Sequence, residues 1–293
     1  MHFFGSDLPF SASFCRRAER EYLSEFGAWD GQRRVGEASV WYLFSETAAA
    51  EIKAFNPSAR IIVMLREPSE IMYSVFRFFR YDGNEPLATF AEALRAEPER
   101  RAGRGLGRQT YFGPGLVYRD VPRFARQVQR YFQAFGRERV KVVLLEDLAA
   151  NPAAVYQDAL KFLEVDDTHR LRAFDRINPA VAVNSRALRA VLNDPITRTT
   201  VRTIRRVLPR RLLDAAYRVE SFLTRCNSST QRPPPLEPEL KAQLRREFAA
   251  EVEQLGELIG RDLSHWSGVG VRAPAGGPSA PGRGPSARLA QSS

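Results

Sequence analysis

Apolar positions in this chain fall into short continuous runs and longer stretches with helical spacing. Ile61-Ile62-Val63-Met64-Leu65 is an unbroken run that ends at Arg66-Glu67-Pro68, and Val140 to Leu145 is a second run broken only by Lys141. Runs of this length predict buried parallel strands. Ser45 to Phe55 reads as a helix, with Ser45 a candidate N-cap and Ala48, Ile52 and Phe55 on one face. Pro68 opens a helix to about Phe79, and Leu87 to Ala96 suggests another. Tyr118 to Phe135 reads as one long amphipathic helix with Pro122 in its first turn, and Asn151-Pro152 as the cap and first residue of a helix to Leu163. Leu240, Leu244, Phe248, Val252, Leu255 and Leu258 mark one side of a helix over 240–259. Val35 to Val40 suits a short strand, and Arg17 to Phe26 a short helix. β runs alternating with helices predict an α/β fold, a central parallel sheet flanked by helices.

Other stretches lack such periodicity. Glu99 to Gly115 holds five glycines and four arginines, and reads as a mobile binding loop or a solvated basic one. From Ser267 the composition is mostly Gly, Pro, Ser, Ala and Arg, which buries too little apolar area to fold. The expected organisation is one domain over 1–266 and a disordered tail over 267–293.

Charge narrows the partners. The net charge is +10, carried far more by arginine than by lysine. Such a balance favours polyanions, anionic cofactors or anionic lipid surfaces. Arg202 to Arg218 is basic and amphipathic, and suits either peripheral membrane contact or packing on the core. Cys15 and Cys226 make no disulfide framework, and His2, His169 and His265 form no ligand cluster, so no metal is expected. No apolar run reaches transmembrane length and no secretory signal is evident, which suggests a cytoplasmic protein.

The strand-to-helix turn carries the chemistry. Ligands bind at the C-terminal edge of open α/β sheets, and a helix N-terminus attracts anions. Arg66 adds a guanidinium fork suited to phosphate, and Ser74 lies two turns into the helix with a hydroxyl to donate. The alternative is a plain βα unit whose arginine only caps the strand end.

Leu65-Arg66-Glu67-Pro68 with Ser74 eight residues after the arginine resembles the sulfotransferase family, where this pattern binds the 3′-phosphate of 3′-phosphoadenosine 5′-phosphosulfate (PAPS). Further segments resemble the bacterial members related to the heparan sulfate type. They are His2-Phe3-Phe4-Gly5, Gly36 to Tyr42, Val142 to Leu148, Phe162-Leu163 and Gly260 to Trp266. The resemblance runs in order over residues 2–266 and implies a P-loop-NTPase-like sulfotransferase fold. It also implies PAPS as co-substrate, no metal, and a hydroxyl-bearing acceptor such as a carbohydrate or small metabolite. Arg186, in Asn184-Ser185-Arg186-Ala187-Leu188, loosely resembles a later basic cofactor contact, or is a solvated arginine.

Two departures bear on activity. The family's Pro-Lys-x-Gly-Thr-(Thr/Ser) phosphosulfate loop does not occur in these residues, and its glutamate base would fall just before Met1. The resemblance therefore implies an N-terminally truncated chain with impaired transfer. Ala38 replaces a motif lysine, and Glu164 a motif glycine. Glu37 then reads as a proton-transfer or acceptor-binding group, or as a surface carboxylate. His2 reads as a substitute base or an idle terminal residue. Glu146 and Asp147, at a strand end, read as caps of the following turn. The competing functions are a non-catalytic remnant that keeps the 3′-phosphoadenosine half-site and, more weakly, a basic nucleic-acid-binding module, for which no binding motif appears.

Overall fold

The computed structural model describes residues 3–10, 18–107, 110–171, 173–174, 182–183, 228–229 and 234–268. His2, Cys15, Arg108, Arg186, Cys226, the 202–218 segment and the tail beyond Gly268 lie outside the described residues.

The core sheet pairs β1 (Ile61–Leu65) with β2 (Val140–Leu144) in parallel, from Ile61 opposite Val140 to Leu65 opposite Leu144. The crossover carries α3 (Pro68–Asp82), α4 (Phe90–Arg95), α5 (Glu97–Arg101) and α6 (Phe124–Phe135). Before it come α1 (Glu19–Ser24) and α2 (Ala48–Phe55), and after it α7 (Leu145–Ala150) and α8 (Pro152–Leu163). The described chain closes with α9 (Pro238–Glu247), α10 (Ala249–Ile259) and α11 (Ser264–Ser267). A two-residue antiparallel pair, β3 (Ala182–Val183) with β4 (Ser228–Ser229), completes the order. This is the expected α/β fold.

Two clusters bury most of the core. In one, α6 packs on β1, β2, α2 and α10 through Phe124, Val128, Tyr131 and Phe135. In the other, α3 and α9 meet the 3-10 turn Tyr118–Asp120, with Phe79 fully buried and stacked on Trp41. Burying one such ring contributes about 1.5–3 kcal/mol.

Several local expectations change. The β1 strand is buried on one face only: Val63 and Leu65 are covered, whereas Ile62 is 40% and Met64 53% exposed. Val35 to Val40 forms no strand, because Val35 and Val40 are themselves exposed and find no apolar face to cover. The helix expected from Ser45 begins at Ala48, although the Ser45 hydroxyl does accept from the Ala48 N–H at 2.9 Å. α4 begins at Phe90 rather than Leu87, fixed by a capping box in which Thr89 and Glu92 bond each other's backbone N–H. The long helix over 118–135 is broken. Pro122 has no N–H to continue a helical ladder, the chain turns through Tyr118–Asp120, and α6 starts at Phe124 with Glu251 accepting the Ala125 N–H at 2.8 Å. The 240–259 helix divides at Phe248, whose φ of −94° and ψ of 5° depart from the α-helix.

The Glu99–Gly115 stretch also differs from expectation. Its first residues belong to α5, and the Arg100 side chain is fully buried against Glu85. Arg101 pairs with Asp120, and Arg104 with Glu99. Gly115 permits the rings of Phe112 and Phe79 to pack where a Cβ would meet them at 2.7–2.9 Å. Arg100 is thus a core residue with no freedom to grip a ligand. Among the described residues, no helix is long and apolar enough to cross a membrane.

Candidate functional site

β1 delivers Arg66 to the carboxyl edge of the sheet, and Pro68 starts α3 immediately after it. Glu67 caps that helix itself, accepting from the Ser69 N–H at 3.2 Å and the Ser69 hydroxyl at 2.5 Å. The acidic residue between the arginine and the proline therefore has a mechanical role. It also occupies the helix N-terminus, so an anion at this edge meets side chains rather than free amides.

Those side chains form a ridge along α3. Glu70, Ser74 and Arg77 lie at helical i, i+4 and i+7 positions, with Arg66 preceding them by the same four-residue step. Arg66 Nη2 donates to Glu70 Oε2 at 2.9 Å. From α9, Lys241 pairs with Glu70 and lies 3.7 Å from Glu67, and Arg245 lies 3.4 Å from Glu67. Burial pushes the Glu70 carboxyl up, but the Lys241 hydrogen bond and the Lys241, Arg66 and Arg245 charges outweigh it, so its pKa is lowered. Arg77 lies over the Tyr73 ring, its guanidinium 5.8 Å from the centroid. The Tyr73 hydroxyl donates to the Pro234 carbonyl at 3.0 Å, which fixes that ring. Ser74 is half-buried between these groups in sequence. The cations of α9 are some 170 positions away along the chain, and no local pattern announced them.

Glu37 sits in a different constellation. Its carboxylate accepts from the hydroxyls of Tyr22 at 3.1 Å, Tyr42 at 3.0 Å and Ser39 at 3.0 Å. The Tyr42 oxygen in turn accepts the backbone N–H groups of Phe3 and Phe4 at 2.9 and 3.2 Å. Phe3 stacks on Tyr22 with centroids 4.2 Å apart. Burial, aided by Glu37, pushes the Tyr22 phenol well above its ordinary value. The two N-terminal segments singled out in the sequence are thus one unit, with Glu37 at its polar end.

Glu146 and Asp147, at the end of β2, bind the closing segment. Glu146 accepts from the Trp266 indole at 2.7 Å and lies 3.0 Å from His265 Nε2, while Arg261 forks onto Asp147 at 3.0 and 3.1 Å. Trp266 is buried. These carboxylates, in the first turn of α7, fasten the 261–266 segment to it and do not cap the helix.

The parallel β1–α3–β2 unit that carries this edge is of the α/β kind that the comparisons match. A family model described as Sulfotransferase domain matches residues 45–182, which include β1, α3 and β2. The bifunctional heparan sulfate N-deacetylase/N-sulfotransferase 1 proteins of Xenopus laevis and Mus musculus are each 29% identical over 145 residues. That match covers 47% of this chain and 16% of each relative, so the chain spans only a small part of their length. A crystal structure of a sulfotransferase from Alicyclobacillus acidocaldarius superposes with a TM-score of 0.62 at 29% identity, over 90% of this chain and 84% of that one. Together these likenesses support a sulfotransferase family and give the chain a sulfotransferase-like α/β fold.

Proposed function

We propose that this chain binds PAPS through Arg66 and Ser74 and moves its sulfuryl group to a carbohydrate or small-metabolite hydroxyl. The observation that carries the reading is the edge where Arg66, just past β1, pairs with Glu70 in the first turn of α3, one helical turn before Ser74. In this reading the 3′-phosphate draws Arg66 from Glu70, and Lys241 keeps the Glu70 charge compensated. Sulfuryl transfer depends on placing acceptor and donor in line and on cations that neutralise the leaving bisphosphate. Glu37, which anchors the Phe3-Phe4 segment through Tyr42, is the candidate to face the acceptor. Arg186 stays a candidate cofactor contact from the sequence. The relatives named for heparan sulfate support a carbohydrate acceptor, and their name as N-sulfotransferases adds amino sugars to the acceptors worth testing.

The test is transfer from labelled PAPS to a panel of hydroxyl- and amino-bearing glycans, with binding of adenosine 3′,5′-bisphosphate measured in parallel. Labelled product together with saturable binding supports the reading. Saturable binding with no product from any acceptor favours the non-catalytic nucleotide binder, and no binding at all overturns both.

A further inference from the structure

The cations around the α3 ridge are not equivalent. Arg66, Lys241 and Arg245 each have a carboxylate within 4 Å, whereas no carboxylate pairs with Arg77 among the described residues. Arg77 is half-buried, and its guanidinium lies over the π-face of Tyr73. A partly desolvated guanidinium without a counter-anion is costly unless something anionic meets it. Tyr73, over which the guanidinium lies, is itself pinned to the Pro234 carbonyl by its hydroxyl. Arg77 lies one turn beyond Ser74 on the same helix face, close enough for the Arg66 charge to lower its pKa, in addition to the larger effect of burial.

We propose that Arg77 is a further anion ligand of this site, a second guanidinium that grips the 3′-phosphate beside Arg66 and Ser74 and sets the preference for nucleotides carrying that phosphate. The inference rests on the reading of Arg66 and Ser74 given above. A phosphomonoester presents three acceptor oxygens and close to two negative charges. One guanidinium fork engages two of the oxygens, which leaves an acceptor for a second fork. Arg66 must first leave Glu70, whereas Arg77 has no ion pair to break. Arg77 is thus preorganised for the anion.

The test titrates adenosine 3′,5′-bisphosphate and adenosine 5′-monophosphate into wild type, Arg66→Ala, Arg77→Gln and Arg77→Lys by calorimetry. Arg77→Gln is expected to weaken the bisphosphate by about tenfold to a hundredfold, the range of one charge-assisted hydrogen bond, and to leave the monophosphate unchanged. Arg77→Lys keeps the charge but loses the fork, and should fall between the two. Wild-type preference in Arg77→Gln, with preference lost in Arg66→Ala, would overturn the role of Arg77 and leave the proposed function standing. Equal affinity of wild type for both nucleotides would remove the 3′-phosphate site and both readings with it. Should Arg77→Gln fail to fold, Arg77→Lys decides, because undiminished preference in that variant overturns the proposal.

Discussion

Arg100 and Glu85 form a bidentate ion pair with both side chains wholly buried, the two N–O distances being 2.7 Å. Neighbours use much of its remaining capacity, although the buried Arg100 Nε has no hydrogen-bond partner among the described residues. The Tyr118 hydroxyl donates to Glu85 at 2.7 Å, the Leu87 N–H donates to it at 2.8 Å, and Arg100 donates to the Leu116 carbonyl at 3.1 Å. Burial and the Glu85 charge raise the Tyr118 pKa far above the ordinary phenol value, so that hydroxyl stays a donor. Removing one partner leaves an uncompensated buried charge, which typically costs about 3–5 kcal/mol. Arg100→Ala should lower unfolding stability by that amount in urea titrations, and the joint change Arg100→Met with Glu85→Leu should cost less than Arg100→Ala alone. A loss under about 1 kcal/mol for Arg100→Ala would show that water reaches the pair.

The cofactor assignment predicts a graded loss along the α3 ridge. Arg66→Ala removes a full charge and its fork and should weaken adenosine 3′,5′-bisphosphate binding by about 1.5–3 kcal/mol, whereas Ser74→Ala removes a single uncharged donor to the phosphate and should cost less. Glu70→Gln should strengthen binding, because Arg66 then no longer has an ionised competitor. Calorimetry that finds Arg66→Ala equal to wild type would sink the assignment.

Much of this ridge was legible in the sequence, for a physical reason. An apolar strand that ends in Arg66 and a proline that opens α3 fix the edge of the sheet using neighbours in the chain alone. The partners were not legible. Lys241 and Arg245 reach Glu67 and Glu70 only because α9 packs on α3, and packing between distant segments leaves no local signature. Arg100 was misread because arginines among glycines have the composition of a solvated loop, while its burial depends on Glu85 and Tyr118. The capping box at Thr89 and Glu92 was present as Thr-x-x-Glu and would have placed the start of α4 correctly.

Glu164 stands where the resembling motif has glycine, and its φ of 56° is left-handed, a conformation that glycine adopts without strain. The side chain compensates by pairing with Arg34 and Arg60, which also donate to the Leu163 and Phe162 carbonyls at the end of α8. Relief of a left-handed Cβ is worth about 1–2 kcal/mol, and exposed ion pairs about 0.2–1 kcal/mol each. Glu164→Gly should therefore sit within about 1 kcal/mol of wild type, and Glu164→Ala, which keeps the strain and loses both pairs, should be the less stable of the two. Thermal melts that rank alanine above glycine would refute this.

Two carboxylates tie the N-terminal segment to the start of α2, and both should make its docking acid-sensitive. Glu51 accepts from the Gly5 N–H at 2.8 Å, the Ser6 N–H at 3.0 Å and the Ser6 and Thr47 hydroxyls. Asp7 accepts from the Ser45 and Thr47 hydroxyls at 2.5 and 2.9 Å and from the Glu46 N–H at 2.8 Å. Burial pushes both carboxyls up, but these hydrogen bonds outweigh it, and each pKa lies below its ordinary value of 4.5 for Glu51 and 3.8 for Asp7. A carboxyl with a depressed folded-state pKa stabilises fully above its unfolded value, and that contribution disappears as pH falls through the folded one. Glu51→Gln and Asp7→Asn should therefore melt below wild type at neutral pH, and the gap should close as pH drops through 4.5 and below 3.8. A gap that stays constant across that range would mean that the substitutions act by shape alone, and that the ionised carboxylates do not hold the segment.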